Sequence, residues 1–159
     1  MRAYHQAVAG LRPPALGEAG FAKLDIAKEN DTAAETRIEA FIADFNDHPD
    51  LAQAVFSVGK AYWDKSHAKR SELLIEQQQK YLRKALGEWL RIINDLPQSQ
   101  AVLADAYYYC GDCYRLLDER LNAIAKYEEV VERYPAIKYA PYAQFLIGQG
   151  YEQLWLENP

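Results

Sequence analysis

A set of small and aromatic residues at helical spacing, closed by a proline, constrains the fold more than any other feature of this chain. In its clearest form it consists of Gly111-x-x-Tyr114, then Ala123-x-x-x-Tyr127, then Pro135 eight residues after Tyr127. Glycine lets another helix approach closely because it lacks a Cβ atom, and proline ends a helix because it lacks a backbone N–H donor. The pattern therefore predicts two antiparallel helices that touch at Gly111 and Ala123.

The same set recurs along the chain, as expected for a helical repeat. A second copy contains Gly59, Tyr62, Ala85, Trp89 and Pro97, the last of them eight residues after Trp89. A third copy begins with Gly148-x-x-Tyr151. We expect only the first helix of that copy, residues 141–156, in this chain.

The N-terminal part of the chain carries a degenerate copy. An aromatic residue again stands eight positions before a proline, which predicts that residues 32–49 form the second helix of a half repeat. Asp25 occupies the position of the glycine, and Arg37 that of the alanine. We expect residues 1–31 to contain a helical remnant, at about residues 1–11, followed by the degenerate first helix.

These residues and spacings resemble the tetratricopeptide repeat family over residues 32–156. The resemblance implies an all-α fold: a right-handed superhelical stack of antiparallel helix hairpins, or α-solenoid, with first helices on the concave face. Residues 51–97 would be an extended repeat, 100–135 a regular repeat and 141–156 the first helix of a truncated repeat. The long joints between copies resemble those of bacterial cell-envelope members, such as the TolA-binding periplasmic protein and the outer-membrane assembly lipoproteins.

Length, charge and hydropathy narrow the function classes. A chain of 159 residues, half of them apolar, corresponds to about one domain with a continuous core. Its net charge of -5 argues against a nucleic-acid partner. No run approaches the roughly 18 apolar residues of a membrane span, so we expect no membrane insertion. The resemblance favours the cell envelope, and a cytoplasmic location stays open.

The second copy departs from the regular spacing. Tyr62 and Ala85 are 23 residues apart, whereas the corresponding residues of the regular copy are nine apart. This hairpin is therefore predicted to be longer by about four helical turns. We place its turn at residues 66–71 and begin its second helix at Ser71, since serine is a favourable N-cap residue.

The extended hairpin is also basic. Residues 60–91 contain eight Lys or Arg side chains against four Asp or Glu. Two interpretations stay open: a solvated helix face that keeps the hairpin soluble, or a docking site for an acidic partner. The apolar run Leu73, Leu74 and Ile75 adds a third interpretation, self-association through the exposed part of this hairpin.

The resemblance also implies where a partner would bind. The repeated glycines and tyrosines are expected to be used in hairpin packing, so the concave face is formed by first-helix residues on the opposite side. Tyr, Trp and Arg carry most of the energy of protein interfaces. The predicted partner-binding residues are Phe56, Lys60, Trp63, Tyr108, Asp112, Arg115, Tyr142, Phe145 and Gln149. The alternative for each aromatic residue is a place in the core.

Candidate catalytic or metal chemistry centres on Cys110 and Cys113, which have C-x-x-C spacing. Redox pairs of this type lie at a helix N-terminus, which lowers the thiol pKa, whereas these cysteines fall inside a predicted helix. A zinc site would need two further ligands, and the three histidines are distant in sequence. We expect structural cysteines, no catalytic or metal-binding residues and no cofactor.

The sequence thus predicts a non-catalytic scaffold that binds a peptide or helix of another protein through an aromatic-rich concave groove, as part of a larger bacterial envelope or assembly protein. The alternative is a regulatory or substrate-presenting repeat module of a larger enzyme.

A further expectation concerns Tyr107, Tyr108 and Tyr109. They should point in three directions, because consecutive residues of a helix cannot face one layer.

Overall fold

The computed structural model describes residues 14–67, 74–96 and 100–157, and within these ranges the chain forms seven α-helices and no β-strand. The helices are α1 (Pro14–Ala27), α2 (Asp31–Asp44), α3 (Leu51–His67), α4 (Ile75–Asp95), α5 (Gln100–Leu116), α6 (Arg120–Arg133) and α7 (Ala140–Glu157). The predicted all-α class is confirmed. The predicted remnant at residues 1–11 lies outside the described residues.

Consecutive helices pack as hairpins. α1 packs on α2, α3 on α4 and α5 on α6, while α7 packs on α6. Three residues separate α1 from α2 and α5 from α6, and each of these turns contains one residue with positive φ, Glu29 at 61° and Asp118 at 64°. Asn30 then caps α2, because its side chain accepts a hydrogen bond from the backbone N–H of Ala33. These short turns bring the small and aromatic positions of the pattern face to face.

Two glycines of the repeated set lie where paired helices approach most closely. A Cβ atom at Gly59 would come within 2.5 Å of the Trp89 indole nitrogen, and one at Gly111 within 2.5 Å of the Tyr127 ring. In a close-packed interior such a contact forces the ring to move. The predicted close approach at these glycines is confirmed in both complete hairpins.

The third glycine of the set behaves differently. No atom lies within 4 Å of a Cβ placed on Gly148. Tyr151, which the pattern assigns to hairpin packing, is 51% exposed and donates a hydrogen bond to Glu128. The prediction that Gly148 and Tyr151 are used in hairpin packing is therefore wrong for the described part of the chain, because no described helix covers that side of α7.

An ion pair replaces the glycine and the alanine in the first hairpin. The Arg37 Nε atom lies 3.0 Å from a carboxylate oxygen of Asp25, at the two positions where the other hairpins carry small residues. Glu18 adds a second carboxylate 3.8 Å from Arg37. The aromatic position is kept, since Phe41 is buried in the core. α1 and α2 therefore form a hairpin in which a charged pair stands in for close backbone contact.

The hairpins do not stack in the same way along the chain. α4 packs against α5, and α6 against α7, so in the C-terminal part each second helix contacts the first helix that follows it. In the N-terminal part the extensive contact joins the two first helices, α1 and α3. Four ion pairs connect α2 to α4: Lys80 with Asp31, Lys84 with Asp31 at 3.4 Å and with Glu35 at 2.5 Å, and Arg91 with Glu39 at 2.7 Å. We call these pairs the ion-pair ladder.

The extended hairpin is present, but its second helix begins later than predicted. Leu74 has an extended backbone, with ψ at 148°, and α4 begins at Ile75. A start at Ser71 is therefore wrong; Ser71 itself and most of the predicted turn lie outside the described residues. The added length packs along α3, because Tyr81 is buried and its ring stacks on Tyr62. Leu74 and Ile75 are exposed.

Most of the basic side chains between residues 60 and 91 form ion pairs with acidic side chains of the same chain. Six of the eight form ion pairs with described residues: Lys60 with Asp64, Lys65 with Glu29, Lys80 with Asp31, Arg83 with Glu119, Lys84 with Glu35 and Arg91 with Glu39. Lys69 and Arg70 lie outside the described residues. Most of these ion pairs join the extended hairpin to a neighbouring hairpin. The interpretation of this basic region as a docking site for an acidic partner stays a prediction.

Candidate partner-binding site

Aromatic rings from α3, α4, α5 and the loop before α7 form one connected cluster. We call it the aromatic belt, and its members are Phe56, Trp63, Trp89, Tyr108, Tyr109 and Tyr139. Ring centroids lie 5.7 Å apart for Trp63 and Tyr109, 5.9 Å for Phe56 and Tyr109, 5.8 Å for Tyr108 and Tyr109, and 4.6 Å for Tyr108 and Tyr139. Such separations are favourable for edge-to-face and offset contacts. The belt thus joins predicted partner-binding residues of α3 and α5.

The three consecutive tyrosines of α5 point in three directions, as predicted. Tyr107 is buried and packs against Tyr134. Tyr108 turns toward Tyr139, while Tyr109 turns toward α3 and α4. The sequence did not mark Tyr109 as part of the site, since its ring partners are distant along the chain. Tyr109 nevertheless connects the α3 and α5 members.

Lys60 is held over the belt by an ion pair. Its ammonium nitrogen lies 2.7 Å from a carboxylate oxygen of Asp64 and 5.5 Å from the centroid of the Tyr109 ring. A cation above an aromatic face contributes about 0.5–1 kcal/mol at an exposed site. Nearby on α3, the Trp63 ring lies 4.2 Å from the ring of His67. Lys60 therefore presents a positioned positive charge beside the rings.

Asp112 is a buried carboxylate next to the belt. It is 8% exposed, accepts a hydrogen bond of 2.7 Å from the Tyr127 hydroxyl and lies 3.4 Å from the Arg115 guanidinium. Burial raises the pKa of Asp112, while the bonds from Tyr127 and Arg115 oppose that rise. Asp112 is therefore used in internal contacts, and Arg115 is the more accessible member of this pair.

A narrow notch beside Arg115 connects α5 to α7. It has a volume of about 20 Å³, and its lining includes Arg115, Tyr127, Gln149 and Gly150. A space of this size holds about one water molecule. The notch brings together two predicted partner-binding residues from different helices, Arg115 and Gln149.

The α7 members of the predicted set are the most accessible. Tyr142 and Phe145 are 53% and 59% exposed, and their rings stack with centroids 5.9 Å apart. Gln149 is also exposed. Burial raises the pKa of Tyr108 to about 12, and the nearby Asp112 and Tyr142 side chains add to that rise. The stacked pair lies at the start of α7, which begins directly after Tyr139 of the belt. It therefore adjoins the belt along the chain.

The nine predicted residues fall into three groups by exposure. Arg115, Tyr142, Phe145 and Gln149 are exposed; Phe56, Lys60, Trp63 and Tyr108 are half-buried; Asp112 is buried. The alternative of a packing role applies in part to the half-buried aromatic residues, whose rings contact the belt. Binding of a partner by any of the nine stays a prediction.

Cys110 and Cys113 are buried in the core. Burial raises the pKa of the Cys110 thiol to about 12 and also raises that of Cys113, which suppresses the thiolate that redox and metal chemistry require. The predicted core position of Cys110 is confirmed. In the described ranges, no group of three or more His, Cys, Asp or Glu is arranged to hold a metal ion.

A scan against protein-family models, a search of curated proteins and a search of solved structures each find no match to this chain. The resemblance to tetratricopeptide repeats therefore depends on the residue pattern alone. Across residues 14–67, 74–96 and 100–157, no helix combines the length and the apolar character needed to cross a bilayer.

Proposed function

We propose that this protein is a non-catalytic scaffold of the tetratricopeptide type, in which a right-handed superhelical stack of hairpins binds a peptide or helix of another protein. The observation that carries the proposal is the aromatic belt together with its continuation to the exposed Tyr142 and Phe145. This surface draws on α3, α5 and α7. A peptide segment laid across successive first helices would contact all three, which is how helical repeat proteins use an extended face.

The exposed pair supplies apolar surface that a partner could cover. A fully buried aromatic ring removes about 150–250 Å² from water, so covering the exposed halves of Tyr142 and Phe145 would contribute roughly 5 kcal/mol at about 25 cal/mol per Å². Part of this gain offsets the entropy lost on association. Lys60 and Arg115 flank the rings and would orient carbonyl or carboxylate groups of the bound segment.

A peptide-display selection against the wild-type protein tests the proposal. Bound peptides are then measured against a variant with Tyr142→Ser and Phe145→Ser, and against a matched control, Leu121→Ser. Leu121 is also an exposed large apolar residue, but it lies on the second helix α6. These exposed positions are preferable to Tyr108, because its ring contacts Tyr127 and Tyr139 and its loss would also affect stability.

We expect the double variant to weaken peptide binding at least tenfold, equivalent to about 1.4 kcal/mol, with an unchanged helical circular dichroism spectrum. The control should bind like the wild type. Equal affinity of wild type and double variant would contradict the assignment of the site. Failure to select any peptide would contradict peptide recognition itself.

A further inference from the structure

The first hairpin, α1 with α2, is attached to the extended hairpin, α3 with α4, in two different ways. α1 packs extensively against α3, whereas α2 and α4 make little close backbone contact. Instead, the ion-pair ladder connects α2 to α4. Ion pairs between partly exposed side chains stabilise a contact less than packed apolar surface does. The boundary between α2 and α4, which we call the seam, is therefore the weaker of the two attachments.

The charges that join these two hairpins are segregated by sign. Across the described ranges, each ion pair between them places its carboxylate on the first hairpin and its cation on the extended one. The carboxylates are Glu29, Asp31, Glu35 and Glu39, and the cations are Lys65, Lys80, Lys84 and Arg91. Because salt screens such interactions, the strength of this attachment depends on the solution.

Glu88 is a carboxyl on the cationic side of the seam. Its side chain is 12% exposed, and its Oε2 atom has no hydrogen-bond partner among the described residues. The titratable groups that face it are Arg91 of α4 at 3.8 Å, Glu35 and Glu39 of α2, and the Tyr62 hydroxyl of α3. Among the described residues of α5, which packs on α4 from the other side, none acts on Glu88. An ionised Glu88 therefore has one attractive neighbour and two carboxylates that repel it.

Arg91 is shared between Glu88 and the seam. One terminal nitrogen of its guanidinium lies 2.7 Å from Glu39 across the seam, while its Nε atom lies 3.8 Å from Glu88 on the preceding turn. A neutral Glu88 leaves the guanidinium to Glu39. An ionised Glu88 competes for the same guanidinium and also repels the carboxylates of α2. Ionisation of this one carboxyl therefore weakens the seam in two ways.

Glu88 is also the carboxyl of the seam that is poised to change charge near neutral pH. Burial raises the pKa of Glu88 to about 7. Although burial opposes the change, hydrogen bonds from the cations across the seam lower the pKa of Asp31, and the bond from Arg91 lowers that of Glu39. Burial raises the pKa of the Tyr62 hydroxyl, which therefore stays protonated.

We propose that the first hairpin is hinged on the contact between α1 and α3 and that the seam is a latch, closed while Glu88 is neutral and opened when Glu88 ionises. In the closed form α2 covers the cations by which α4 contributes to the ladder. In the open form α2 has moved away from α4, and both Glu88 and those cations are in contact with water. The helices are kept in both forms, because α1 packs on α2 and α3 packs on α4 within their own hairpins.

The expected response follows from the environment of Glu88 in the two forms. The closed form holds the pKa of Glu88 at about 7, and contact with water in the open form returns it to the ordinary value of 4.5. The closed form is therefore most favoured below pH 4.5 and loses that advantage as the pH rises through 7. Between pH 5 and pH 8 the ratio of closed to open protein should fall about 70-fold.

The distance between α2 and α4 tests the latch. Nitroxide labels on Ala43→Cys and Asn94→Cys report on the end of the seam near Arg91, since both positions are exposed and lie in the last turns of α2 and α4. The two native cysteines are buried and their thiols stay protonated, so the labels attach at the introduced positions. Pulsed electron paramagnetic resonance of the full chain gives the distribution of distances at each pH, and circular dichroism shows that the helices are retained.

We expect a short distance at pH 5 and a second, longer distance whose population grows by pH 8. Glu88→Gln should keep the short distance at both pH values, whereas the matched control Glu132→Gln, which is exposed on α6, should respond like the wild type. A wild-type distance that does not change with pH overturns the proposal, even if the unfolding free energy depends on pH, because a rigid protein with a buried Glu88 would give that result too. A response that survives in Glu88→Gln also overturns it, since another group would then be titrating.

Lys84→Gln tests whether the ion pairs hold the seam. Lys84 joins two carboxylates of α2, at 3.4 Å from Asp31 and 2.5 Å from Glu35. Its loss should lower the ratio of the short to the long distance at pH 8 about twofold to tenfold, the effect of one or two partly exposed ion pairs. Lys23→Gln is the matched control, because Lys23 is exposed on α1 and forms no ion pair with a described residue. An unchanged ratio in Lys84→Gln would show that the ladder is not the latch and would overturn the proposal.

Discussion

Replacement of Glu88 by glutamine should stabilise this protein, and by more at pH 8 than at pH 5. Glu88 lies on α4, its side chain is 12% exposed, and its Oε2 atom has no hydrogen-bond partner among the described residues. Arg91, on the next turn, places Nε 3.8 Å from that oxygen. A buried carboxylate without a hydrogen bond is costly to ionise.

Glu88 also places a negative charge among the positive side chains by which α4 contributes to the ion-pair ladder. Lys84 and Arg91 face the acidic side of α2, and Glu88 occupies the turn of α4 between them. Burial raises the pKa of Glu88 to about 7; Arg91 opposes that rise, while the Glu39 and Glu35 carboxylates of α2 add to it. The folded protein therefore favours the protonated form of Glu88.

The size and sign of the effect follow from the two pKa values. A rise from the ordinary glutamate value of 4.5 to about 7 corresponds to about 3 kcal/mol. Because the folded-state pKa lies above the unfolded one, ionisation of Glu88 destabilises the fold. The cost is absent well below pH 4.5, grows as the pH rises, and is complete above about pH 7. Glutamine, which stays neutral, avoids it.

Urea unfolding followed by helical circular dichroism measures the difference. Glu88→Gln should exceed the wild type in unfolding free energy by about 3 kcal/mol at pH 8 and by about 1 kcal/mol or less at pH 5. Glu132→Gln is the matched control, because Glu132 is exposed on α6. The same chemical change there should leave the pH dependence of the wild type intact.

Two results would refute the reasoning on Glu88. One is a gain in stability that is the same at pH 5 and pH 8, since the linkage argument requires the gain to grow with pH. The other is a side-chain carboxyl resonance of Glu88 that titrates near its ordinary value of 4.5 in the folded protein. Either would mean that the carboxylate is better solvated than its burial and missing hydrogen bond imply.

Two further predictions concern buried contacts. Gly111→Ala should destabilise the protein by about 1–3 kcal/mol, because the added Cβ would meet the Tyr127 ring from α6. Gly148→Ala should be neutral or stabilising by up to about 1 kcal/mol, because the space around Gly148 is open. Thermal unfolding of the two variants checks the contrast. Tyr62→Phe should leave stability unchanged or raise it by about 1 kcal/mol, because the buried hydroxyl has no hydrogen-bond partner among the described residues. A clear loss in urea unfolding would show that this hydroxyl is satisfied.

The hairpins could be predicted because the information that specifies them is local. A glycine on one helix and an aromatic residue on the next determine where two adjacent helices touch. The close approach at Gly59 and at Gly111 was predicted from that spacing, whereas the rings that meet the two glycines, Trp89 and Tyr127, are findings of the structure. The same argument placed Cys110 in the core, since it adjoins the packing glycine.

The position of the first hairpin, α1 and α2, against the rest of the stack could not be predicted from the sequence. It depends on contact between α1 and α3 and on ion pairs such as that of Lys84 with Glu35, which are 49 residues apart. Surface charges at helical spacing do not reveal which opposite charges they will meet. The start of α4 was wrong for a related reason: Ser71 has the chemistry of an N-cap, but the side chain that precedes the helix is Leu74.

The candidate site was predicted only in part, because the sequence shows which side chains share a helix face but not which of them another helix covers. Asp112 was placed on the binding face, yet Tyr127 and Arg115 use its carboxylate. Tyr109 was left out, although its ring connects the belt. In both cases the side chains that contact the residue come from another helix or from the next turn of the same helix, so the sequence alone does not identify them.

The rings of this surface differ in how much they could gain from a partner. Trp63 and Tyr108 are half-buried among other rings, so a bound segment could remove little further apolar area from water. Tyr142 and Phe145 stack on each other and keep more than half of their surface exposed. Burial energy for binding is therefore concentrated on α7, while the packed rings of α3 and α5 provide a platform whose order is already established in the free protein. A platform that needs no ordering lowers the entropy cost of binding, which gives the packed rings a role in affinity that does not depend on the area they expose.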